Sequence, residues 1–123
     1  MYHILELLRS SRIVSNIEIL HLVDEEDIQA LSVKAALSDE SLLYVRELTT
    51  KTDTKYSYHW QTKTGKLFCR WDNAPHHKTL HTFPHHKHIR TSKSVLPSTE
   101  VTLEKILKNI EKQVANSYEI RNS

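Results

Sequence analysis

Lys55-Tyr-Ser-Tyr-His-Trp-Gln-Thr62, then Lys63-Thr-Gly65, then Lys66-Leu-Phe-Cys-Arg-Trp71, is the stretch that decides the fold. Tyr56, Tyr58 and Trp60 alternate with Ser57, His59 and Gln61. That is the period of two that an extended strand imposes on its side chains. Gly65 is the only glycine in the chain. It falls where a tight hairpin needs a positive φ. Lys55–Thr62 and Lys66–Trp71 therefore read as two antiparallel strands, the fourth and fifth of a sheet.

Upstream, the same period recurs three times. In Ile13–Val23, Ile17, Ile19 and Val23 share one side with His21, and Glu18, Leu20 and Leu22 take the other. In Ile28–Leu37, Leu31, Val33, Ala35 and Leu37 share a face. Leu42–Thr50 places Leu43 and Val45 opposite Tyr44, Arg46 and Leu48. Polar turns at 24–27, 38–41 and 52–54 separate these runs at near-regular spacing. The gaps leave no room for crossover helices, so the order is an antiparallel meander. Ile4, Leu5, Leu7 and Leu8 lie at helical spacing and make a short N-terminal helix over residues 1–10.

Downstream of Trp71 the pattern breaks. Residues 72–98 read as mostly irregular, with Pro75, Pro84 and Pro97 as punctuation. So long a loop in a small domain is usually functional or disordered. Thr102 then suits an N-cap and Glu104 the first turn of a helix. Leu103, Ile106, Leu107, Ile110 and Val114 form its stripe over 102–115, and the tail from Ala115 is expected to fray. The expected product is one α+β domain over 1–123. A curved antiparallel sheet of about five strands, a meander over 13–71, has a short N-terminal helix and a C-terminal helix packed on one face.

The chain has 123 residues and a net charge of +2, but that total hides a division. Residues 1–54 carry a net −5, residues 55–93 a net +7, and residues 94–123 balance. Six of the nine histidines fall between Arg70 and His88, inside the basic part. A phosphate-rich partner would select that overlap. No apolar run approaches the roughly 20 residues of a membrane span, and the N-terminus lacks a cleavage pattern. The single cysteine, Cys69, excludes an intramolecular disulfide framework and points to a reducing cytoplasm. With one glycine there is no Gly-rich phosphate loop, and a Ser-His-Asp elbow is absent too.

Two chemistries fit the histidine run. In the first, His86, His88, one of His76 or His77, and Asp72 could hold a metal. Structural zinc commonly includes cysteine, and adjacent histidines diverge in an extended chain. Spacing thus argues against a metal, and no cofactor is expected. The second is metal-independent cleavage of RNA. It needs a base for the 2′-hydroxyl, an acid for the leaving 5′-oxygen and cations for the phosphorane. Histidine suits either proton role. His76, His77, His85 and His86 are the leading acid–base candidates, with Asp72 to orient an imidazole. Arg70, Tyr58, His59, Gln61, Asn73, Lys87 and His88 are candidates for holding substrate. Trp60 and Trp71 read as core packing rather than base platforms, and Cys69 as a small buried hydrophobe.

Tyr56-Ser-Tyr-His-Trp-Gln61, Arg70-Trp-Asp-Asn-Ala-Pro-His-His77, Phe83-Pro-His-His-Lys-His88 and Val95-Leu-Pro-Ser98 resemble, in this order, the TumE family of small prokaryotic toxin-like proteins. The motifs cover residues 56–98. The first half matches by pattern alone, and Cys69 is outside the family pattern. The resemblance implies a type II toxin held inactive by a cognate helix-turn-helix antitoxin; it brings no catalytic residues with it. The expected function is a cytoplasmic toxin that cleaves RNA. The alternatives are a non-catalytic nucleic-acid- or protein-binding module, or a metal-dependent nuclease or nucleotide-transferring toxin using the same histidines. An exposed strand edge could also pair two chains as a homodimer.

Overall fold

The computed structural model describes residues 1–122, with side chains through residue 116. Helix α1 (Tyr2–Ser10) precedes strands β1 (Val14–Glu25), β2 (Ile28–Leu37), β3 (Leu42–Thr50), β4 (Thr54–Gln61) and β5 (Leu67–Asp72). Then come β6 (His86–Ile89), β7 (Leu96–Pro97) and helix α2 (Leu103–Asn122). The strands lie side by side in chain order, each antiparallel to the next. The architecture is the expected α+β meander, open rather than closed.

The sheet has seven strands rather than about five. Both additions come out of the segment that read as irregular. β6 is His86-Lys-His-Ile89, which has no apolar alternation to announce it. It forms because the outer edge of β5 offers a row of unpaired backbone groups, and pairing satisfies them. β7 adds two residues beyond β6. α2 also runs on to Asn122 instead of fraying at Ala115. The sequence from Ala115 to Asn122 contains no glycine or proline to stop it.

Alternation gives the sheet two unlike faces. Val45, Tyr58 and Trp71 stand directly opposite one another on β3, β4 and β5, at 0%, 2% and 1% exposure. Leu31, Val33, Ala35, Leu37, Leu43, Trp60 and Cys69 extend this layer. The α1 residues Ile4, Leu5 and Leu8 pack on it. So do Leu103, Ile106, Leu107, Ile110 and Val114 of α2, the whole stripe that periodicity marks out. Thr102 caps α2: its Oγ1 accepts the Lys105 N–H at 3.3 Å. The indole N–H groups find partners, Trp60 on Ser41 Oγ at 2.9 Å and Trp71 on Glu100 Oε1 at 3.4 Å. Cys69 is buried among apolar groups, and burial pushes its thiol up to about 12.

β1 departs from strict alternation. Its register shifts between Ile19 and His21. The slip puts Leu22 opposite Leu31, on the side of Ile19, and turns His21 and Val23 to the other face. One inserted residue reverses the faces of everything beyond it, so the expected grouping of Ile19 with His21 and Val23 does not occur. At the β4–β5 hairpin Gly65 has φ of 101°, the left-handed conformation the turn requires. No described helix is long and apolar enough to cross a membrane.

Candidate functional site

The face away from the helices is polar, and its residues lie in two rows across the strands. Lys34, Tyr44, His59, Arg70 and His88 stand opposite one another from β2 to β6. Ser32, Arg46, Ser57, Asp72 and His86 form the next row. The rows exist because β6 joins β5. Pairing puts His88 beside Arg70 and His86 beside Asp72.

Asp72 is the centre of the arrangement and is 6% exposed. Its Oδ1 accepts from His86 Nε2 at 2.9 Å and from the Ala74 N–H at 3.0 Å. Its Oδ2 accepts from Arg70 Nε at 3.3 Å and lies 3.7 Å from His88 Nε2. A carboxylate leaves water at low cost only with such partners. His86 Nδ1 in turn faces the Pro84 carbonyl oxygen at 3.0 Å. Both of its partners are acceptors, and both of its ring nitrogens are engaged. His86 is 2% exposed, so its ring is closed off from solvent.

Further along the row, Arg70 Nη1 donates to His59 Nδ1 at 3.3 Å, and His59 Nε2 donates to Gln61 Oε1 at 3.1 Å. This pattern fixes the neutral ring with its proton on Nε2. Desolvation, and then the Arg70 guanidinium, hold the His59 pKa below its ordinary value, with Gln61 opposing. His77 reaches over from the loop. Its ring lies 4.7 Å from that of His86 and 6.0 Å from that of His88. Desolvation, and then the imidazoles of His86, His88 and His76, lower its pKa, and Asp72 opposes them. His76 is exposed, 6.5 Å from His77 ring to ring.

Beside these groups is a cleft of about 680 Å³. Lys55, Ser57, Arg70, Asp72, His76 and Phe83 are among its lining residues. It carries two cations, an accessible imidazole and an aromatic ring that is 41% exposed.

The fold separates other residues that the sequence groups with these. Tyr58 lies on the covered face with its hydroxyl on Glu47 Oε2, and burial and then Glu47 raise its pKa. Lys87 stands opposite Trp71, also on the covered side, and its Nζ is 3.3 Å from Glu100 Oε1. Asn73 serves the backbone: Oδ1 accepts the Tyr56 N–H at 2.9 Å and Nδ2 donates to the Thr54 carbonyl at 2.8 Å. His85 hydrogen-bonds the Tyr56 hydroxyl through Nδ1 at 2.8 Å and stacks on its ring. The Tyr56 phenol is pushed up to about 12 by burial and then by Asp72. His81 is exposed and outside the cluster. Arg46, Ser57 and Phe83 join the site without having been marked. Alternation from Val45 and Tyr58 gives the first two; Phe83 had no periodic signal.

A protein-family model described as Toxin TumE matches residues 4–114 of the chain. No curated protein and no solved structure matches it.

Proposed function

The chain belongs to the TumE toxin family, and we propose that it acts as a toxin by cleaving RNA on the open face of its sheet. A toxin of this kind implies a cognate antitoxin, which we take to be a helix-turn-helix protein. The observation that carries the reading is the cleft in which Lys55, Arg70 and His76 converge beside exposed Phe83.

Lys55 and Arg70 supply the cations that a phosphodiester and its phosphorane require. Phe83 offers a face on which an unpaired base can stack. His76 and His77 are the accessible imidazoles, with ring centroids 6.5 Å apart. One would take the 2′-hydroxyl proton and the other protonate the leaving 5′-oxygen. Asp72 and His86 are positioning groups: the buried pair fixes Arg70 on one side and the start of the loop at Ala74 on the other. No step in this scheme passes through a metal.

Total RNA after induced expression tests the proposal. Wild-type chain should fragment RNA and arrest growth, and a permeant chelator should not relieve the arrest. His76→Ala/His77→Ala, expressed to the same level, should leave RNA intact. Growth arrest with intact RNA in the wild type would overturn the reading in favour of a toxin that binds without cutting.

A further inference from the structure

The loop 73–85 returns one imidazole to the two that β6 presents, and the three converge. One ring nitrogen from each of His77, His86 and His88 lies within 4.8 Å of the other two. His86 and His88 are two residues apart on one strand, so they share a face, with ring centroids 5.0 Å apart. The adjacent pairs, His76-His77 and His85-His86, each contribute a single member. This is how the cluster avoids the divergence of neighbouring side chains.

A second observation is independent of the convergence. His88 Nδ1 is buried and has no hydrogen-bond partner among the described residues. The His88 side chain is 12% exposed. An unsatisfied buried nitrogen is destabilising, and a bound ligand would relieve that. One divalent ion can take a lone pair from each of the three imidazoles. Imidazole nitrogen selects zinc or its transition-metal neighbours over magnesium and calcium, which take oxygen.

We propose that His77, His86 and His88 form a zinc site, with Asp72, whose Oδ1 lies 2.9 Å from His86 Nε2, beside it to complete the coordination and balance its charge. The zinc takes the place of the proton that His86 Nε2 shares with Asp72. His86 Nδ1 keeps its bond to the Pro84 carbonyl, the outer-sphere contact that orients a metal-bound histidine. Zinc–nitrogen distances of about 2.0–2.1 Å set tetrahedral ligand nitrogens about 3.3 Å apart. His77, half-exposed on the loop, is the ligand free to swing in. The ion would tie the loop to the sheet. It would also occupy the His77 lone pair, so zinc and proton transfer by His77 exclude one another. That consequence rests on the RNA-cleavage reading; the binding itself does not.

Titration calorimetry of the folded, chelator-treated chain with zinc chloride tests the site. The expected result is one ion per chain, with affinity at least tenfold weaker in His77→Gln and in His88→Gln. His81→Gln, which changes a histidine outside the cluster, should bind as the wild type does. Circular dichroism of each variant establishes that the fold is kept. Absence of binding in the wild type, or equal weakening by His81→Gln, would overturn the proposal. So would stoichiometric binding that survives both His77→Gln and His88→Gln. None of these outcomes depends on whether RNA is cut.

Discussion

The two faces of one sheet use the same strands for opposite purposes. On the covered face, Val45, Tyr58 and Trp71 stand in a row under the helices, and what matters there is apolar area removed from water. One residue along the same strands, Arg46, Ser57, Asp72 and His86 stand in a row on the open face. There the sheet spends pairing on charge: a buried carboxylate is held by a guanidinium, two imidazoles and a backbone amide. Trp71 and Asp72 are neighbours in sequence and belong to different molecules in energetic terms. The apolar core and the charged row are thus separated by parity along β5.

Substitutions can break that separation or sharpen it. Trp71→Ala should have the largest effect on folding, about 3–5 kcal/mol for a buried aromatic. Denaturant unfolding would show the loss, and toxicity would fall only as folded protein falls. Asp72→Ala is the case that strains the comparison. It leaves the buried His86 ring facing no carboxylate, so it should cost about 3 kcal/mol despite lying on the open face. A cost below about 1 kcal/mol would show that the Asp72–His86 pair does not hold this end of the sheet. Gly65→Ala forces a side chain into a left-handed turn that belongs to neither face, although nothing lies within 4 Å of the added carbon. About 1 kcal/mol is expected from the backbone alone, read in the same unfolding assay, with activity unchanged.

The smallest effect is on the pH dependence of stability. His59 has a folded pKa below its ordinary 6.5, so the unfolded chain binds its proton first. Its contribution is complete above pH 6.5 and diminishes as pH falls through that value. Thermal unfolding of His59→Gln should therefore lose less on going from pH 7.5 to pH 5.5 than the wild type loses. Equal slopes would place His59 in contact with water rather than under the Arg70 guanidinium.

The covered face was legible because burial writes itself into sequence with a period. Every apolar member of the α2 stripe, and the alternation of β2, β3 and β4, appears in the structure as read. The open face was legible only by composition. The histidines between Arg70 and His88 marked the region, but β6 carries no apolar pattern, so the pairing that sorts its side chains could not be seen. That pairing sends Lys87 under the sheet and keeps His86 and His88 above it. It also unites His77 with two residues some ten positions away, which spacing within one segment could not reveal. The bulge in β1 is likewise invisible to a pattern that assumes strict alternation.

The claim that the open face performs the chemistry is tested most directly with purified protein and a labelled RNA. The cleavage rate of wild type is compared with that of His76→Ala/His77→Ala after both are shown to unfold at the same denaturant concentration. The double variant should be slower by about 10²-fold or more, the usual contribution of positioned proton transfer. A double variant that folds like the wild type and cleaves RNA at the same rate would contradict the account.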